Sequence, residues 1–84
     1  MKIIHTKTFE KSLEKIDKEI QIRIIEKILL LSKEEENLDI KKLQPKEKGI
    51  FRLIVGKYRI LFNYQEKDTI KLLDVDNRDS IYMF

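Results

Sequence analysis

The sequence contains no cysteine and no tryptophan, and it has one histidine, one proline and two glycines. Without cysteine the chain has no disulfide, no thiolate nucleophile and no sulfur-bound metal. One histidine without a cluster of other ligands argues against a metal site, so we predict neither metal nor other cofactor. The longest apolar run, residues 28–31, is too short for a membrane span or a signal peptide. We therefore expect a soluble protein of the cytoplasm with no membrane partner.

What the chain has in abundance is charge, which is unevenly distributed along it. Its 84 residues leave room for one hydrophobic core, so we predict a single domain over residues 1–84. Charged residues make up 39% of the chain and the net charge is +3. Residues 41–59 hold seven basic side chains and one acidic side chain, Glu47. This basic zone favours a polyanionic partner.

The first part of the sequence has the periodicity of helices. Residues 3–4 predict a short strand, and Thr6 or Thr8 can cap a helix that follows it. A second helix is predicted from about residue 19 to residue 32. The predicted apolar faces consist of Phe9, Leu13 and Ile16 in the first helix, and of Ile20, Ile22, Ile24, Ile25, Ile28, Leu29 and Leu31 in the second. Such spacing is typical of a hydrophobic core and not of a ligand site.

After a polar stretch that we interpret as a loop, residues 33–49, the apolar period changes to two. This alternation predicts strands over residues 51–55, 58–64 and 69–75. Gly56 and Lys57 suit a two-residue type II′ hairpin turn between the first two of them. The predicted fold is α+β, with a short N-terminal strand, a two-helix hairpin and a three-stranded antiparallel meander.

The predicted hairpin brings two arginines together. With Gly56 and Lys57 in the turn, Ile54 pairs with Arg59 and Arg52 pairs with Leu61, so both arginines lie on the face that the helices leave open. Their Cβ atoms would be about 7–8 Å apart, a spacing at which two guanidiniums can hold one phosphodiester. The alternative interpretation is two solvated arginines on an exposed sheet face.

Four segments of the sequence resemble the signature of the RelE/ParE toxin superfamily, and RelE-type toxins in particular. The segments are Lys42-Leu43, Gly49-Ile50-Phe51-Arg52-Leu53, Gly56-Lys57-Tyr58-Arg59-Ile60-Leu61-Phe62 and Asn77-Arg78-Asp79-Ser80-Ile81-Tyr82. The third segment is the most specific of the four. The resemblance implies a RelE-like fold and a type II toxin that enters the ribosomal A site, cuts mRNA without metal and so inhibits translation.

The resemblance also implies a set of catalytic residues: Arg52, Arg59, Arg78 and Tyr82. Fixed guanidiniums can stabilise the charge that develops when a 2′-hydroxyl attacks the adjacent phosphate. A tyrosine near cations can take part in the proton transfers.

The lysines of the basic zone supply candidate RNA contacts, because phosphate binding needs charge more than geometry. We assign this role to Lys41, Lys42, Lys46, Lys48 and Lys57. Many RelE nucleases have a second basic residue where this chain has Ile54, and a lysine from the turn or the loop would have to replace it.

The expected partners are mRNA, the ribosome and a cognate RelB-like antitoxin. The toxin and the antitoxin could assemble into a hetero-oligomer. We expect an acidic antitoxin segment to cover apolar residues of the open face, namely Ile54, Leu61, Leu73 and Val75. One alternative is a ParE-like toxin that inhibits gyrase without nuclease activity. Another is a catalytically inactive relative that only binds the antitoxin or operator DNA.

Overall fold

The computed structural model describes residues 1–34, 38, 40–42 and 49–77. In these residues the elements are, in chain order, β1 (Lys2–His5), α1 (Lys7–Glu14), α2 (Lys18–Ser32), β2 (Ile40–Lys42), β3 (Phe51–Val55), β4 (Tyr58–Gln65) and β5 (Thr69–Asn77). The predicted order of one strand, two helices and an antiparallel meander is confirmed.

Thr6 starts the first helix and ties it to the sheet. Its Oγ1 accepts a hydrogen bond from the Phe9 N–H at 3.1 Å, which satisfies a backbone donor that the first turn leaves open. The same hydroxyl donates to the carbonyl of Leu73 at 2.9 Å. Thr6, and not Thr8, is therefore the cap, and it fixes the N-terminus of α1 against β5.

The strands form one sheet in the order β1-β5-β4-β3-β2. β1 runs parallel to β5, and the other neighbours are antiparallel. The prediction of a loop throughout residues 33–49 was wrong, because β2 lies within that range and pairs with β3. Ile40 is the one apolar residue of this three-residue strand, so the strand has no alternation to reveal it in the sequence.

The hairpin between β3 and β4 has the predicted register. Ile54 is opposite Arg59 and Arg52 is opposite Leu61. Gly56 adopts φ +58°, whereas Lys57 keeps a negative φ. A positive φ at the first central position alone is the feature of a type II′ turn, whose twist matches that of the strands.

A bulge in β5 changes which of its residues face the core. Leu61 pairs with Asp74 but the next residue, Phe62, pairs with Leu72, so β5 has one additional residue at this point. The irregularity shifts the alternation, and Leu72 and Val75 are both buried in the core. The prediction that Val75 lies on the open face was therefore wrong.

The core lies between the two helices and one face of the sheet. Its buried residues are Phe9, Ile24, Ile28, Leu31, Leu53, Val55, Ile60, Phe62, Ile70, Leu72 and Val75. The helical members belong to the faces that the periodicity predicts. None of the helices in the described ranges is long and apolar enough to cross a membrane.

Candidate functional site

The two arginines of the hairpin lie on the sheet face that points away from the core. Arg52 and Ile54 alternate on β3 with the buried Leu53 and Val55, and Arg59 alternates on β4 with the buried Ile60. We call this surface, formed by Arg52, Ile54, Arg59, Leu61 and Asn63, the arginine face. Because Ile54 is directly opposite Arg59, the two arginines are diagonal neighbours, as the sequence predicts.

The two arginines differ in their exposure to water. Only 5% of Arg59 is exposed, whereas Arg52 is half-buried. The Nε atom of Arg52 is buried and has no hydrogen-bond partner in the part of the chain that the structure describes. The interpretation of two solvated arginines was wrong for Arg59, whose buried side chain has Ile54 of β3 and Asp76 of β5 as its directly opposed neighbours.

Asp76 is an acidic residue of this face that the sequence alone did not single out. It is directly opposite Arg59 on the neighbouring strand, so the two side chains share the arginine face. Burial raises the pKa of Asp76 above its usual range, the nearby Asp74 raises it further, and Arg59 partly opposes the rise. In the sequence, the alternation Asp74-Val75-Asp76 indicates that the two aspartates share one face of the last strand. The bulge in β5 conceals which face this is and that Asp76 pairs with Arg59.

Asp74 is held in place by two donors. Its Oδ1 accepts a hydrogen bond from the Ser12 hydroxyl at 2.6 Å and another from the Val75 N–H at 2.8 Å. Ser12 belongs to α1, so this contact joins the first helix to the strand that presents Asp76.

Of the five lysines predicted to bind RNA, the structure describes the backbone of Lys41 and Lys42 and the whole of Lys57. Lys41 occupies the register position opposite Arg52, and Lys42 occupies the position opposite Phe51. Four predicted site residues lie outside the described residues: Lys46, Lys48, Arg78 and Tyr82.

Lys57 lies at the exposed turn of the hairpin. Together with Arg23 and Tyr58 it lines a cleft of about 360 Å³, which also includes Ile20 of α2. This cleft opens on the helix side of the hairpin. Ile54, by contrast, lies on the arginine face. Lys57 therefore does not take the place of the basic residue that many RelE nucleases have at the position of Ile54.

A second concave surface lies between the helices and is apolar. This groove has a volume of about 250 Å³ and extends from α1 to α2 over β1 and β5. Ile25 and Leu29 line it and remain 44% and 48% exposed. His5 lies at its edge with its Nδ1 3.0 Å from Oε1 of Glu10. We call this surface the helix groove.

The chain is similar to known toxins over nearly its whole length. Residues 3–82 match the family described as the ParE toxin of the type II toxin–antitoxin system parDE. The RelE–RelB complex of Methanococcus jannaschii contains a chain with 34% identity and a TM-score of 0.75, and the match covers 94% of both chains. No curated protein sequence matches the chain.

Two further solved complexes have the same fold. A chain of the RelBE2 toxin–antitoxin complex from Mycobacterium tuberculosis has 27% identity and a TM-score of 0.79, and the match covers 92% of this chain and 90% of that one. A chain of the RelE–RelB complex from Pyrococcus horikoshii has 26% identity and a TM-score of 0.71, with 92% and 93% covered. The chain therefore belongs to the RelE/ParE superfamily and is a toxin of a type II toxin–antitoxin system.

Proposed function

We propose that this toxin is a ribosome-dependent mRNA endoribonuclease that works without metal and is neutralised by an antitoxin of the RelB type. The observation that carries the proposal is the pairing of β3 with β4, which holds Arg52 and Arg59 as diagonal neighbours on one face. Two guanidiniums at this spacing can bind one phosphodiester, and fixed positive charge stabilises the negative charge that develops during its cleavage.

The differing burial of the two arginines suits two tasks. Arg52 is half-buried and can reach an incoming phosphate with its terminal nitrogens. Arg59 is largely removed from water, where electrostatic interactions are less screened. A guanidinium fixed there stabilises developing negative charge with little reorganisation at the moment of reaction.

The reaction that these groups support is internal transfer. The 2′-oxygen attacks the adjacent phosphorus, the bond from phosphorus to the 5′-oxygen breaks, and the products are a 2′,3′-cyclic phosphate and a free 5′-hydroxyl. The arginines stabilise the phosphorane oxygens, and the resemblance assigns Arg78 and Tyr82 to the same chemistry. The ribosome orders the mRNA, while Lys41, Lys42, Lys46 and Lys48 contact RNA backbone.

The antitoxin is expected to use the helix groove. A stripe of exposed apolar residues runs along α2 at positions i, i+3 and i+7, formed by Ile22, Ile25 and Leu29. Exposed apolar surface of this kind is typical of a protein interface, and an amphipathic helix can place its own apolar stripe in the groove. The sequence predicted instead that the antitoxin covers apolar residues of the open face. Of these residues, Ile54, Leu61 and Leu73 are half-buried and Val75 lies in the core.

A gyrase-inhibiting toxin is the second candidate, and two observations favour it. The matching family is described as a ParE toxin. In addition, Ile54 occupies the position where many RelE nucleases have a basic residue. In this case the arginine face would bind protein or DNA and no cleavage chemistry would occur.

The proposal is tested with purified toxin and programmed ribosomes in the presence of a chelator. We expect cleaved mRNA with 2′,3′-cyclic phosphate ends, and no cleavage where the 2′-hydroxyl at the cut site is replaced by hydrogen. Arg52→Gln should slow cleavage by about 10²–10³, the range typical of one fixed donor. Lys71→Gln is the matched control, because Lys71 pairs with Asn63 at the other end of the open face. Equal rates for Arg52→Gln and Lys71→Gln would contradict the assignment.

A further inference from the structure

We infer that Asp76 is a catalytic residue of the arginine face and that its carboxylate accepts the proton of the attacking 2′-hydroxyl. The inference rests on the proposed ribonuclease function. It supplies a group that the four residues implied by the resemblance lack, namely a carboxylate base.

The position of Asp76 in the sheet is the first support. Asp76 and Arg59 are directly opposed residues of β5 and β4. Directly opposed side chains share a face and have Cβ atoms about 4.5–5.5 Å apart. A phosphate that reaches Arg59 therefore lies within one side-chain length of the Asp76 carboxylate, and so does the 2′-hydroxyl next to that phosphate.

The charges around Asp76 are the second support. Burial and Asp74 raise the pKa of Asp76, and Arg59 on β4 lowers it by a smaller amount. Helix α1 contributes Ser12, which acts through its hydrogen bond to Asp74. A carboxylate with a raised pKa holds a proton more strongly, so it is a better base than an ordinary aspartate as long as it is deprotonated.

The proton balance of the step is complete. The 2′-oxygen gives its proton to an Oδ atom of Asp76 and forms a bond to phosphorus. The bond to the 5′-oxygen breaks with its electron pair, and this oxygen takes a proton from solvent water. Asp76 returns its proton to water after the products leave, and Arg59 stabilises the charge on the phosphorus oxygens throughout.

The inference predicts a specific dependence of the cleavage rate on pH. Only the deprotonated carboxylate is a base, so the single-turnover rate should rise with pH through the raised pKa of Asp76 and then level off. Asp76→Asn should reduce the rate by about 10²–10⁴ and remove this acidic limb. Asp76→Glu keeps the carboxylate and should restore part of the rate together with the limb.

A variant of the neighbouring carboxylate gives a second test. Asp74→Asn removes the negative charge that raises the pKa of Asp76 but leaves an oxygen to accept from Ser12 and Val75. Its acidic limb should therefore move to lower pH. A purely structural role of Asp74 would change the rate at all pH values and leave the limb in place.

The experiment measures cleavage of mRNA on programmed ribosomes from pH 8 down to the usual titration range of an aspartate, at about pH 4. Binding to 2′-deoxy-substituted mRNA on the same ribosomes and circular dichroism at each pH are the controls. Asp76→Asn should stay folded and should bind the deoxy-substituted mRNA at least as tightly as the unsubstituted toxin does. An acidic limb that is unchanged in Asp76→Asn would overturn the inference but not the proposed function. The same holds if Asp76→Asn loses as much affinity for the deoxy-substituted mRNA as it loses in cleavage rate. If the unsubstituted toxin cleaves no mRNA at any pH, the proposed function and the inference are both wrong.

Discussion

Replacing Phe62 with alanine should remove the centre of the packed face of the sheet. Phe62 is 0% exposed, and it is one of the largest side chains that are fully buried in the described core. Its ring centroid lies 5.7 Å from that of Phe51 and 5.4 Å from that of Tyr64. The substitution therefore removes both buried apolar area and two aromatic contacts.

The expected loss is large compared with the stability of so small a protein. Truncating a buried phenylalanine to alanine costs about 3–5 kcal/mol. At roughly 0.05–0.15 kcal/mol per residue, a chain of 84 residues has a free energy of unfolding of about 4–13 kcal/mol. One kcal/mol corresponds to about 4–8 °C in a domain of this size, so Tm should fall by about 12–40 °C.

Thermal unfolding followed by circular dichroism measures this effect, and Tyr64→Ala is the matched control. Tyr64 belongs to the same ring cluster but is 45% exposed, so its truncation should cost about 1 kcal/mol. A Phe62→Ala variant that unfolds within 5 °C of the unsubstituted toxin would refute the assignment of this face to the core.

Three further predictions concern stability and the partner. Arg59→Ala should lower the free energy of unfolding by about 1–3 kcal/mol, because it removes a buried group that has an interaction partner. Arg52→Ala should lower it by about 0–1 kcal/mol. Urea unfolding measures both values, and equal losses would contradict the difference in burial between the two arginines. Ile25→Glu combined with Leu29→Glu should leave Tm within a few degrees but abolish rescue of growth by a co-expressed antitoxin, and full rescue would remove the helix groove as the antitoxin site. Lys67→Gly should raise the free energy of unfolding by about 0.5–1 kcal/mol, since Lys67 has φ +59° in the turn after β4, and a lower value would argue against this turn geometry.

The sequence was sufficient to predict features that depend on local patterns. Two-residue alternation around Gly56 predicted the strands of the hairpin and their register, because the turn fixes the pairing of both strands at once. The cap at Thr6 followed from the same kind of local chemistry. Placing Arg52 and Arg59 on one face was a direct consequence of that register.

The features that the sequence did not reveal depend on contacts between distant residues. β2 is three residues long and is defined by its pairing with β3. The bulge opposite Leu61 and Phe62 reverses the alternation of β5, which moved Val75 into the core and concealed Asp76. Arg59 is buried beside Ile54 of β3 and Asp76 of β5, and neither the order of the strands nor these neighbours across the sheet can be read from the period of a single strand.

The most direct test of the account gives the purified toxin two targets in parallel, programmed ribosomes in chelator and gyrase with relaxed plasmid DNA. We expect mRNA cut to fragments with 2′,3′-cyclic phosphate ends, while gyrase supercoils the plasmid at its normal rate. Intact mRNA together with inhibited supercoiling would contradict the account and identify the toxin as a gyrase inhibitor.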